Sequence, residues 1–114
     1  MILKRIFIMA LLAAAQPASA AVYCTGTLAG TYTDANGYLY VSMNAANGNW
    51  LVFCNVSTSW SGISPQTCVS WTATITSAIL TNRPVTTWYA DYSSCTAIPQ
   101  YSASPPPYYV MLLP

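Results

Sequence analysis

Asp34 and Asp91 are the only acidic side chains of this 114-residue chain, and histidine is absent. Without histidine, the Ser-His and Cys-His nucleophile arrangements are excluded. A pair of carboxylates can hydrolyse a glycosidic bond when the two groups flank it, so Asp34 and Asp91 define the one catalytic option. A simpler demand accounts for both. Asp34 suits the first position of an Asx turn, and Asp91 suits a strand end or a place beside Arg83. The expectation is that the protein is not an enzyme and has no catalytic residues.

Binding is better supplied. The chain holds four tryptophans and nine tyrosines, together with many Asn, Ser and Thr residues. Rings with an apolar face and a polar tip stack on sugars, while the small polar side chains donate and accept hydrogen bonds. The same rings also suit a core or a subunit interface.

Cys24, Cys54, Cys68 and Cys95 are the remaining reactive groups. Their spacings of 30, 14 and 27 contain no Cys-x-x-Cys knuckle, so no metal site is expected, and no cofactor. In an oxidising compartment an even count implies two disulfides, in one of three connectivities. The favoured pairing is Cys54–Cys68, joining a strand to the first turn of a helix, with Cys24–Cys95 tying the ends together.

Export follows from the N-terminus. Lys4 and Arg5 precede an apolar run from Ile6 to Ala15 and then Ala18-Ser19-Ala20, the pattern of a signal peptide over residues 1–20. The run is too short to span a bilayer, so no membrane insertion is expected. Cys24 lacks the preceding Leu-then-small pattern of a lipoprotein. The mature protein, residues 21–114, is then one small exported domain, periplasmic or secreted. Its charged side chains are Arg83, Asp34 and Asp91, a net charge of −1 where the full chain has +1. Nothing there would release counterions from nucleic acid, so none is expected as a partner.

The elements that must position these groups can be read in order. Val22 to Thr33 suits a long, bent first strand containing Gly26 and Gly30. Asp34-Ala35-Asn36-Gly37 is a hairpin turn. Tyr38 and Tyr40 then share one face of a strand, and Leu39 and Val41 the other. A second turn over Asn44–Asn49 leads to Trp50–Cys54, apolar enough to be buried on both faces. Asn55 to Ile63 reads as a loop, in which Asn55-Val56-Ser57 matches a glycosylation sequon by chance.

Next comes a helix. Ser64 suits its N-cap, Pro65 its first position, Asn82 a left-handed C-cap, and Pro84 ends it. Cys68, Trp71, Ile75, Ala78 and Ile79 make its apolar face. Trp71–Thr76 also alternates as a strand would, and the caps favour the helix. Its opposite face, Gln66, Ser70, Ala73, Ser77 and Thr81, carries no charge and suits a neighbouring subunit. Val85–Ala90 is the fourth strand. A long connection, Asp91–Pro107, includes Pro105-Pro106-Pro107 and leads into the last strand, Tyr108–Leu113.

Three strands, a helix and two strands give a mainly β fold: a small five-stranded OB-like barrel with one α-helix between strands three and four, and two disulfides. On such a barrel the ligand lies across strands two and three and the flanking loops. That makes Asp34, Asn36, Tyr38, Tyr40, Trp60 and Tyr92 the candidate ligand-binding residues.

The runs Trp50-Leu51-Val52-Phe53-Cys54-Asn55, Ser64-Pro65-x-x-Cys68-x-x-Trp71 and Ser94-Cys95-x-Ala97-Ile98-Pro99 carry a resemblance. They resemble a group of small exported bacterial proteins that look like the pentameric B subunits of one-A-five-B toxins, of the subtilase-cytotoxin type. The resemblance implies an OB fold, a homopentamer, lectin activity towards host sialoglycans and a possible separate catalytic A subunit. The sequence departs from it at Asn82, where similar proteins often carry Gly, and the family's glycan contacts have no matching positions. The alternative is a periplasmic or secreted domain that binds or inhibits another protein.

Overall fold

The computed structural model describes residues 20–114. The expected signal peptide lies outside the described residues except for Ala20. Six strands and one helix follow: β1 (Ala21–Gly26), β2 (Leu28–Thr33), β3 (Tyr38–Met43), β4 (Trp50–Asn55), α1 (Pro65–Leu80), β5 (Val85–Ala90) and β6 (Val110–Leu112). Short 3-10 turns occupy Asn44–Ala46 and Cys95–Ala97.

The helix forms where its caps require. The Ser64 hydroxyl accepts from the Thr67 amide at 3.2 Å, and Pro65 occupies the first position, where its missing N–H leaves nothing unpaired. At the other end Asn82 is left-handed, with φ +50°. The Arg83 amide donates to Ala78 and the Asn82 amide to Ile79, the two bonds of a Schellman motif. Two threonines of the strand-like run, Thr72 and Thr74, are satisfied inside the helix, and the C-cap Thr81 bonds in the same way. Thr72, Thr74 and Thr81 donate their hydroxyls to the carbonyls four residues earlier, Cys68, Ser70 and Ser77.

The strands form two three-stranded antiparallel sheets, β1–β5–β6 and β2–β3–β4, in place of the single expected barrel of five strands. The physical reason is a break in the expected first strand at Thr27. The Asn44 amide donates to the Thr27 carbonyl, and its side-chain amide to the Thr27 hydroxyl. A register shift between Leu28 and Gly30 leaves an extra residue that bends the chain. β1 therefore pairs with β5, and β2 with β3. The last strand is also shorter than expected. Three prolines have no amides to pair, so sheet-side bonding begins when Tyr108 donates to Trp88.

α1 packs on β2 and β4 from one sheet and on β6 from the other. Leu39, Val41 and Met43 of β3 and Leu51 and Phe53 of β4 meet Ile75 and Cys68 of α1 in one buried core. Each such side chain, fully buried, contributes about 1.5–3 kcal/mol. β4 is buried from Leu51 to Asn55, as its composition predicts. Both favoured disulfides are present. Cys54–Cys68 fixes β4 to the first turn of α1, and Cys24–Cys95 fixes β1 to the segment after β5.

Candidate functional site

The site is built outward from the β2–β3 turn. Asp34 organises it as an Asx residue: one carboxylate oxygen, Oδ1, accepts from the amides of Asn36 at 2.9 Å and Tyr38 at 3.0 Å. The other, Oδ2, accepts from the Tyr40 hydroxyl at 3.2 Å. Burial first, then the Asp34 charge and this hydrogen bond, hold the Tyr40 phenol above the ordinary tyrosine range. Asp91 directly follows β5 of the other sheet, where its amide donates to the Ala20 carbonyl. The two carboxylates therefore lie at the ends of strands in different sheets.

Alternation along β3 sends Tyr38 and Tyr40 to the outer face of the β2–β3–β4 sheet. The register sets Tyr32 of β2 beside Tyr40, and Val52 of β4 on its other side. Tyr32 and Tyr40 stack at 4.5 Å with planes 11° apart, and Trp50 meets Tyr32 edge-on at 5.0 Å. The Trp50 ring lies over Gly30, where a methyl group would sit 3.2 Å from it. A row of aromatic rings thus stands on this sheet face.

Two loops complete the site. In the first, the Asn55 side chain is buried and accepts from the amides of Ser57 and Thr58, while donating to the Asn36 carbonyl. A sequon whose asparagine is committed in this way is closed to modification in the folded protein. Trp60 and Ile63 exchange backbone hydrogen bonds across Ser61 and Gly62, both at positive φ, a tight two-residue turn. Trp60 reaches Tyr38 edge-on at 6.0 Å. In the second loop, the Tyr101 amide donates to the Trp50 carbonyl, and the Gln100 side chain accepts from the Trp50 amide. The Ser104 hydroxyl donates to the Val52 carbonyl. These bonds lay residues 100–104 along β4.

Between the loops and β3 lies a cleft of about 140 Å³, lined by Tyr38, Tyr40, Val52, Trp60 and Ser102. Three of the six expected residues, Tyr38, Tyr40 and Trp60, line it. Asp34 reaches it through the Tyr40 hydroxyl. Asn36 shapes the turn with its backbone and leaves its side chain exposed. Tyr92 is not brought to the cleft. It is half-buried against the core, beside Tyr89, whose phenol burial pushes far up and whose hydroxyl has no protein partner.

Tyr32, Trp50, Tyr101 and Ser102 were not expected at the site. Tyr32 was not legible either: a two-residue Asn36-Gly37 turn would pair it with Val41, and the three-residue loop over residues 35–37 shifts the register by one and sets it opposite Tyr40. Tyr101 and Ser102 carry no local signal. Asp34 is the charged group at the site; Arg83 lies at the α1–β5 turn, where its Nε donates to the Leu113 carbonyl. Among the described residues no group of three or more side chains is arranged to hold a metal ion. No family model matches the chain, and neither a curated protein nor a solved structure matches it.

Proposed function

We propose that the protein is a non-enzymatic, exported glycan-binding protein that takes a sugar in the cleft between β3 and the Trp60 turn. One observation carries this reading. Tyr38, Tyr40 and Trp60 wall a ring-sized cleft over apolar Val52, with the hydroxyls of Ser102 and Tyr40 beside it. Apolar ring faces next to polar tips suit the C–H face and hydroxyl rim of a sugar. The finer fold reading is an opened OB-like arrangement: the chain through β1 and β2 serves both sheets, and α1 lies between β4 and β5.

The toxin-B-like part of the proposal is a ring of five, with a separate catalytic A subunit as a further partner. Its support is the outward face of α1. Gln66, Ser70, Ala73, Ser77 and Thr81 are all exposed and uncharged. Val69, Thr76 and Leu80 extend this face, joining Ala73 in a stripe at four- and three-residue steps, with Val69 57 % and Leu80 80 % exposed. A second copy would cover such a face. Two disulfides, and no described helix long and apolar enough to cross a membrane, are compatible with export. A second reading, a protein-binding domain, is favoured by exposed Tyr23, Tyr108 and Met111 on or beside the outer face of the β1–β5–β6 sheet.

Light scattering of the exported protein is expected to give the mass of a pentamer, and a stable monomer would remove that part of the proposal. For the site, Trp60→Ala is expected to weaken glycan binding about tenfold or more, since an aromatic contact contributes roughly 0.5–1.5 kcal/mol beyond its buried area. Titration with glycans, followed by tryptophan fluorescence, measures this. Unchanged binding in the variant would count against the cleft.

A further inference from the structure

We propose that the cleft accepts one terminal, uncharged six-membered sugar ring and discriminates against acidic sugars through the Asp34 carboxylate, which the hydroxyl of cleft-lining Tyr40 contacts. This narrows the glycan-binding reading and rests on it. It also departs from the sialoglycan that the toxin-B resemblance implies.

Size sets the first half. At about 140 Å³ the cleft is close to the roughly 150 Å³ cavity that holds a single benzene ring. The cleft is open to solvent, so one ring fits between its walls and any further sugar of a chain would lie outside them. Its walls are also unequal. Tyr38 and Trp60 meet edge-on with planes 85° apart, and buried Val52, beside Tyr40 on the neighbouring strand, adds an apolar surface. Tyr32 stacks against Tyr40 in the row on the sheet face. A pyranose entering here would lay its C–H face on apolar surface and turn its hydroxyls to Ser102 and to the Tyr40–Asp34 pair.

Charge sets the second half. Oδ1 of Asp34 is occupied by two backbone amides, whereas Oδ2 has one partner, the Tyr40 hydroxyl. An ionised carboxylate oxygen has two lone-pair directions, so Oδ2 retains capacity for a sugar O–H donor. A sugar carboxylate brings no such proton. It would also add a second negative charge on the side of the cleft where Tyr40 meets Asp34, and like charges repel. The cation that would offset it is elsewhere: Arg83, the described chain's basic side chain, is bound at Leu113 beyond α1.

The test titrates the exported protein at low ionic strength with methyl glycosides of glucose, galactose, mannose and N-acetylglucosamine. The methyl glycoside of N-acetylneuraminic acid is run in parallel, with tryptophan fluorescence and ligand-observed NMR as readouts. At least one neutral glycoside is expected to bind saturably, about tenfold or more tighter than the acidic one, and to lose that binding in Trp60→Ala. Asp34→Asn keeps an oxygen for the turn amides and removes the charge, so it should narrow the neutral-to-acidic ratio. Tyr40→Phe should weaken neutral binding and leave the circular dichroism unchanged. If Asp34→Asn fails to fold, the ratio in the unaltered protein still decides. Equal or tighter binding of the acidic glycoside, lost in Trp60→Ala, would overturn the selection by charge and leave the glycan reading standing. A neutral disaccharide bound tenfold tighter than its terminal sugar would overturn the single-ring limit. No saturable binding of any glycoside would overturn both this proposal and the glycan reading.

Discussion

Replacing Cys24 and Cys95 together by alanine is expected to lower the stability of the domain by about 4 kcal/mol, the loop-closure value for a cross-link of this span. The two residues are 71 apart, so the bridge encloses β2, β3, β4, α1 and β5. Without it the unfolded chain regains most of its freedom. For a domain of this size the loss corresponds to a fall in melting temperature of roughly 20 °C, seen by circular dichroism. The shorter Cys54–Cys68 bridge spans 14 residues and should contribute about 3 kcal/mol by the same account. The order of the two is informative, because burial predicts the reverse. Cys54 and Cys68 are both fully buried, whereas Cys95 is only half-buried. A greater loss from the Cys54–Cys68 pair would show that core packing outweighs chain entropy. The longer bridge also bears on the candidate site. Cys95 holds the segment that continues through buried Ile98 to Tyr101 and Ser102, so its loss should loosen one wall of the cleft as well.

What could be read from the sequence was local, and what could not was long-range. Ser64, Pro65 and Asn82 define α1 because a cap is a contact within a few residues. Asn36-Gly37 defines the β2–β3 turn for the same reason, and with it the common face of Tyr38 and Tyr40. The split of the first strand was not legible, since it depends on Asn44 reaching back 17 residues to Thr27. Tyr101 was hidden in a proline- and serine-rich connection, and reaches the site only because Trp50 and Val52 supply backbone acceptors to residues 101–104. Tyr92 packs towards Tyr89 and does not line the cleft, because a place in a loop does not dictate which way a side chain turns. The site was therefore half legible: its turn and one wall were written locally, and its other wall depends on chain segments brought together from far apart.

Gly37→Ala is expected to cost about 3 kcal/mol and to weaken ligand binding in the same variant. Two terms add. Gly37 has φ +91°, where an L side chain is strained by roughly 1–2 kcal/mol. The new methyl group would also sit 2.6 Å from the Ser57 hydroxyl and 2.7 Å from the Asn55 side-chain oxygen. That oxygen is the acceptor for the Ser57 and Thr58 amides, and the same buried side chain donates to the Asn36 carbonyl. Moving it leaves buried polar groups unpaired, at about 1–3 kcal/mol. Gly62 separates the terms. It has a similar φ of +82° but no atom within 4 Å of where a methyl would go, so Gly62→Ala should incur the strain alone. Urea unfolding of the two variants measures the difference. If they lose equal stability, the contact between the turn and Asn55 contributes nothing. If Gly37→Ala loses more, Asn55 is the post that joins the Asp34 turn to the Trp60 loop, and the two walls of the cleft are set by one buried amide.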